Sequence, residues 1–223
     1  MMVIGDEKLK VKNNDQAWIF RWSVFLIGLI IMSFGIALII RADLGSAPWD
    51  VLHIGLTEQV GLTVGTWTII MGFLLLVVAT CISKEIPKLG AFLNMLFVGL
   101  FVDLFLFIIH TPDVLFLKGF YLVVGILIMG LGIGIYISPK CGVGPRDSLM
   151  LAVSQKTGFT VAQVRITMEL IVLGAGWLLG GPVFVGTILF SVTIGHVTGV
   201  SLVWCQIWID RRMERGIKVE NIH

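Results

Sequence analysis

Apolar runs over residues 22–40, 64–82, 89–109, 120–137, 161–179 and 183–204 alternate with short polar segments along the chain. Each approaches or exceeds the roughly 18 residues a helix needs to cross about 30 Å of hydrocarbon, so the pattern predicts six transmembrane helices. Two further segments, 49–60 and 146–157, are too short to span, and each ends at a glycine. They read as short helices that lie in the interface or dip part-way into the membrane.

Composition agrees with this pattern. Hydrophobic residues make up 57% of the chain, charged residues only 13%, and the mean hydropathy is +0.99. These values lie far outside the range of soluble domains. The expected fold class is an all-α integral membrane protein, with the lipid bilayer as its first partner. Residues 1–17 are too polar for a signal-peptide core, so the first apolar run is expected to be retained as a helix.

The charges orient the spans. With the N-terminus inside, thirteen of the sixteen Lys and Arg residues fall on the cytoplasmic side, Arg41 and Lys118 fall outside, and Arg165 lies within a span. The positive-inside rule therefore predicts two cytoplasmic termini. Topology accounts for the net charge of +2, which gives no reason to expect nucleic acid as a partner. Trp18, Trp22, Trp67, Trp204 and Trp208 fall at predicted helix ends, where amphipathic rings favour the interface. Cys81, Cys141 and Cys205 fall near the cytoplasmic side; an odd number of thiols in a reducing compartment argues against a disulfide framework.

An internal repeat organises the chain. "LGSAPWD" at 44–50 and "CGVGPRD" at 141–147 share Gly, Pro and Asp at an offset of 97 residues (142 − 45). The same ungapped offset pairs Gly35 with Gly132, Leu52 with Leu149, Gly61 with Gly158 and Thr63 with Thr160. Each copy holds three spans, an odd number, so the second should enter the membrane upside down: an inverted-topology repeat. The linkers "SKEIPK" and "GGP" occupy equivalent places with opposite charge character, as opposite sides would require. The expected organisation is a cytoplasmic N-terminal tail (1–21), a first membrane repeat (22–111), a second (112–205) and a basic cytoplasmic C-terminal tail (206–223).

The motif is chemically legible as a helix start. Pro48 and Pro145 suit the first helical position, where a missing N–H costs nothing. Asp50 and Asp147 then fall at the third, facing exposed amides and the positive end of the helix dipole. Gly45 and Gly142 permit chain reversal after a span. A second reading adds function, because short helices at matching places in inverted-repeat transporters point their termini at the solute.

These residues also resemble a family. "ADLGSAPWDVL", "GVGPRDSLML", "VRITMEL" and the closing "GWLLGG" with "GT" are similar to the YczE/YyaS/YitT-like group of bacterial multi-spanning membrane proteins, over about residues 28–199. The resemblance implies a bacterial plasma-membrane location and supplies no reaction.

Polar residues inside spans are the remaining candidates for a substrate or ion pathway, since ionisable groups there need a partner or a task. Arg165 and Glu169 lie four apart and can face one another, as a structural ion pair or as part of a solute or proton path; Arg146 is the competing partner for Glu169. Asp103, with no basic residue within a turn, is expected to be protonated, paired across helices or facing a water-filled cavity. His196 reads as a hydrogen-bonded interior histidine or a proton relay, and His53 lies one turn after Asp50. The pathway candidates are thus Asp50, Asp103, Arg146, Asp147, Arg165, Glu169 and His196.

Glycines in "GLGIG" (130–134), "GWLLG" (176–180) and "GHVTG" (195–199) have the spacing that lets helices approach closely. No spacing resembles a metalloprotease helix, a phosphate loop or a nucleophile elbow, and no cofactor or metal site is expected. The pattern points to a transporter or channel-like protein for a small solute rather than an enzyme. The alternative is a non-transporting subunit that anchors or regulates a partner protein through the basic residues 211–218, and a homo-oligomer is compatible with either.

Overall fold

Helices stop where glycine, proline or charge interrupts the apolar pattern. The computed structural model describes the backbone of residues 3–220 and the side chains of residues 18–212. Among the described residues all regular structure is helical: α1 (Val3–Ala42), α2 (Pro48–Val60), α3 (Val64–Ser83), α4 (Leu89–Ile108), α5 (Leu115–Ile137), α6 (Pro145–Thr157), α7 (Val161–Leu178) and α8 (Val185–Glu220). Six are long and apolar enough to cross a membrane, over Trp18–Ala42, Val64–Ser83, Leu89–Ile108, Leu115–Ile137, Val161–Leu178 and Val185–Arg212. The tails expected at each end are not separate segments in the described residues, because α1 and α8 run past their spans as continuous helices. Side chains of the basic residues Arg215 and Lys218 lie outside the described residues.

The helices form two sets of four, each with a short helix in second place. α2 and α6 each run for 13 residues from a proline and are capped by Gly61 and Gly158. Thr63 and Thr160 cap α3 and α7, each accepting from the amide three residues on. Gly45 (φ +100°) and Gly142 (φ +152°) take the backbone conformations that the reversal before each short helix demands.

At the core α1 packs along α5 through reciprocal close approaches. Gly28 has no room for a Cβ against Tyr136, and Gly125 meets Ile39; Gly35 is blocked by Met129, and Gly132 by Met32. Raising the first partner of each contact by 97 and lowering the second by 97 turns one member of each pair into the other. Such backbone-level packing is what small residues provide where lipid supplies no hydrophobic drive between helices. The same expectation fails for "GHVTG": Gly195 and Gly199 have no neighbour within 4 Å. α7 and α8 make at most marginal contact, whereas the equivalent helices α3 and α4 pack closely where Gly65 meets Gly99.

The two ends of the bundle sort as alternating spans require. At one end Lys118 pairs with Asp43 at 2.7 Å, the Arg41 guanidinium donates to the Leu106 carbonyl, and Gly186 N donates to Leu44 O. At the other, Phe20 meets Trp208 at 6.0 Å between centroids, so the first span starts where the last one ends.

Candidate functional site

The short helix α2 enters the bundle by its N-terminal half. In α2 the first half, including Pro48, Trp49, Asp50, Val51, Leu52 and His53, is buried, and exposure rises toward its end, where Glu58, Gln59 and Val60 are exposed. The C-terminal end of α2 meets the end of α7, where Gln59 Nε2 donates to Leu179 O at 3.1 Å. Its N-terminal end reaches the start of α6: the Arg146 guanidinium carbon stands 4.8 Å from the Trp49 ring centroid. Around this meeting point is a cavity of about 200 Å³ lined by residues from all eight helices.

Its polar walls come from both halves of the chain. α2 contributes Trp49 and His53, α3 Thr68, α4 Asn94 and α5 Tyr136. α6 adds Arg146 and Asp147, and α7 adds Arg165 and Glu169. Because Pro occupies the first position of both short helices, the amides of their second and third residues, Trp49 with Asp50 and Arg146 with Asp147, have no intrahelical acceptor. The two helix starts therefore bring uncompensated N–H groups and positive dipole ends to one place.

Hydrogen bonds tie down some of these groups and leave others open. Tyr136 donates to Asp147 Oδ2 at 3.3 Å, and Arg165 Nε donates to Glu169 Oε1 at 3.0 Å. Asp50 Oδ1 stands 4.0 Å from His53 Nδ1, and Asp50 Oδ2 has no hydrogen-bond partner although the residue is only 3% exposed. Desolvation pushes the Asp50 carboxyl up to about 6, against the opposing pull of Arg146. Burial also raises Asp147, opposed by Arg165, the Tyr136 hydrogen bond and Arg146. His53 is lowered well below its ordinary value by burial and then by the Arg146 charge, which leaves a neutral imidazole. Burial works against the charge of Arg146 as well, while Asp50 and Asp147 favour it; a guanidinium stays protonated in such surroundings.

The sequence candidates separate into three groups. Arg146, Asp147, Arg165 and Glu169 line the cavity, and Asp50 lies just behind it beside His53. Asp103 does not line it: its carboxylate accepts from the Thr63 hydroxyl and from Gly65 N at 2.8 Å, so α4 caps the start of α3. Of the three expectations for Asp103, the cross-helix partner is the one found. His196 is not interior. It is exposed on α8, its Nδ1 3.3 Å from Val192 O, because α8 leaves α7 and does not bury that face. As helix-start residues the two aspartates fall where expected, at the third position of α2 and of α6, while the N-cap residues Ala47 and Gly144 supply no side-chain cap.

Sequence reasoning missed Asn94, Thr68 and Tyr136 and left Trp49 among the helix-start letters. Asn94 was the findable one: an amide at the sixth position of α4, 6% exposed, is as foreign to an apolar span as a charge.

Comparisons extend this picture. Residues 19–202 match a family of unknown function, DUF6198. An uncharacterized membrane protein of Bacillus subtilis, YczE, is 42% identical over 190 residues, covering 84% of this chain and 87% of the relative. An uncharacterized protein of Haemophilus influenzae is 34% identical, covering 78% and 80%, and the B. subtilis protein YyaS is 30% identical, covering 78% and 88%. No solved structure matches. With six apolar helices and a family match over most of its length, the chain is a multi-pass membrane protein and belongs to the DUF6198 family, alongside YczE and YyaS.

Proposed function

We propose that this protein carries a small solute across the bacterial plasma membrane, as a transporter or channel-like protein rather than an enzyme, through two inverted halves that meet at the central cavity. The observation that carries this reading is the convergence of α2 and α6: two non-spanning helices from equivalent places start side by side at a polar cavity of about 200 Å³ among six spans. Inverted-repeat transporters use discontinuous helices in this way, aiming half-helix termini at the solute. The reciprocal glycine contacts of α1 and α5 support the inverted relation, because a two-fold axis exchanging the halves demands them. Trp49 and Arg146 are themselves 97 residues apart, so their contact lies where such an axis would pass.

Departure from symmetry supports a moving part. Gly65, Gly72 and Gly99, which hold α3 against α4, correspond to Ala162, Glu169 and His196 in the barely touching α7 and α8. We read that seam as the side of the cavity that opens. Cytoplasmic termini follow from the positive-inside rule: with Arg146 at the central cavity, one orientation still places twelve cations inside and two outside. The test is reconstitution into liposomes with a mixture of small solutes, the contents read by mass spectrometry. Solute-specific uptake above empty liposomes supports the reading, and none from any solute class rejects it.

A further inference from the structure

The cavity carries a set of unused polar atoms whose chemistry specifies more than a generic solute. Arg146 stacks on Trp49, yet among the described residues its guanidinium makes no hydrogen bond or ion pair within 4 Å. Asp50 and Asp147 act on its charge only from farther away. A planar fork of donors held in place by an aromatic ring is thus presented to the cavity. Asn94, which lines the same cavity, has its Nδ2 buried without a partner, and the amides at the starts of α2 and α6 add donors and dipole. Every one of these groups seeks an acceptor or a negative charge.

His53 asks for the opposite. Its residue is 1% exposed and its Nε2 has no partner. The Thr68 hydroxyl donates to Val64 O at 2.9 Å, so it can only accept from His53 Nδ1, 3.2 Å away. The tautomer that satisfies both Thr68 contacts carries its proton on Nδ1 and leaves Nε2 a bare lone pair that needs a donor. Nearby negative charge sets a further limit. Asp147 is held by Tyr136 and Glu169 by Arg165, and both carboxylates would repel a second negative charge on a ligand.

We propose that the cavity binds a small monocarboxylate of a few carbons bearing a hydroxyl or ammonium group, with the carboxylate on Arg146 and Asn94 Nδ2 and the O–H or N–H donated to His53 Nε2. The size fits: about 200 Å³ is below the roughly 300–1,000 Å³ of sites for drug-sized ligands. This assignment rests on the transport reading but concerns binding, which is measured without flux.

The experiment is calorimetric titration of the purified full-length protein in detergent with lactate, alanine, propionate, succinate and lactamide. Lactate or alanine is expected to bind at least about tenfold more tightly than propionate, since propionate leaves the His53 lone pair unmatched. Lactamide and succinate should bind more weakly still. Arg146→Gln should weaken the favoured ligand by at least about thirtyfold, and Arg146→Lys should recover part of that loss. His53→Phe should bring lactate, alanine and propionate within about twofold of one another, a change that general destabilisation does not produce. Equal binding of lactamide and lactate overturns the assignment, as does failure of every carboxylate to bind saturably. If a neutral or cationic solute enters liposomes while no carboxylate binds, the transport reading stands and the anion site falls. If lactate or alanine binds as expected yet no solute crosses, the site stands and the transport reading falls.

Discussion

Arg146 stands over the ring of Trp49 at 4.8 Å, so the second residue of one short helix rests on the second residue of the other. The two positions are equivalent under the 97-residue offset, yet one is an aromatic platform and the other a cation. The shared helix start sets the geometry, and the difference between the two side chains sets the chemistry.

If the halves are inverted, equivalent residues must face opposite sides. Asp43 and Lys140 are such a pair; both are exposed, and both have positive φ (52° and 58°). They are better reporters than the motif residue Ser46, which is only 2% exposed. In a background with the three native cysteines replaced, Asp43→Cys should react with an impermeant thiol reagent added outside cells, and Lys140→Cys only when the cytoplasmic face is opened. Labelling of both from one side would end the inverted-repeat account.

Asp103 is read as a cap, with no part in the pathway. Asp103→Asn keeps an acceptor but loses the charge that strengthens two hydrogen bonds to the start of α3. A loss of about 1 kcal/mol is expected, seen as a lower thermal midpoint in detergent, with solute uptake per folded protein unchanged. A variant of wild-type stability that fails to transport would place Asp103 in the pathway after all.

The Arg165–Glu169 pair is testable by a double-mutant cycle. Glu169→Gln or Arg165→Gln alone strands a charge, so each should destabilise the protein more than the double change does, with a coupling on the order of 1 kcal/mol. Additive thermal shifts would show that the 3.0 Å contact carries no energy and that Glu169 answers to Arg146 instead.

Asp50 gives a pH signature. Its folded-state value near 6 lies above the ordinary 3.8, so between these values the folded protein binds more protons than the unfolded chain. The contribution to stability is full below about 4, is lost as pH rises through about 6, and is level above about 7. Two units correspond to at most about 3 kcal/mol. Asp50→Asn should flatten this part of the stability–pH curve and raise the thermal midpoint at pH 7.5; parallel curves for the two proteins would refute the buried carboxylate.

What could be read from the chain were the features that local physics determines. Hydropathy places the six spans, and Pro48 and Pro145 mark the first residues of α2 and α6. The Arg165–Glu169 pair follows from helical spacing alone. What could not be read depends on which faces meet. Asp103 finds its partners 38 and 40 residues away, and Trp49 meets Arg146 only because two copies converge. His196 reads as interior from its place in an apolar span, but α8 packs on α5 and at most marginally on α7, so its face is exposed. Asn94 and Thr68, being uncharged, stand out less than the charges, although they line the same cavity.

Uptake into liposomes by three proteins at equal folded concentration tests the central claim most directly: wild type, Arg146→Gln at the cavity, and His196→Ala on the exposed face of α8. The account predicts at least about tenfold more uptake than empty liposomes for wild type and His196→Ala, and background uptake for Arg146→Gln, whose loss removes the unpaired guanidinium from the solute's path. Uptake that persists in Arg146→Gln but disappears in His196→Ala would contradict it.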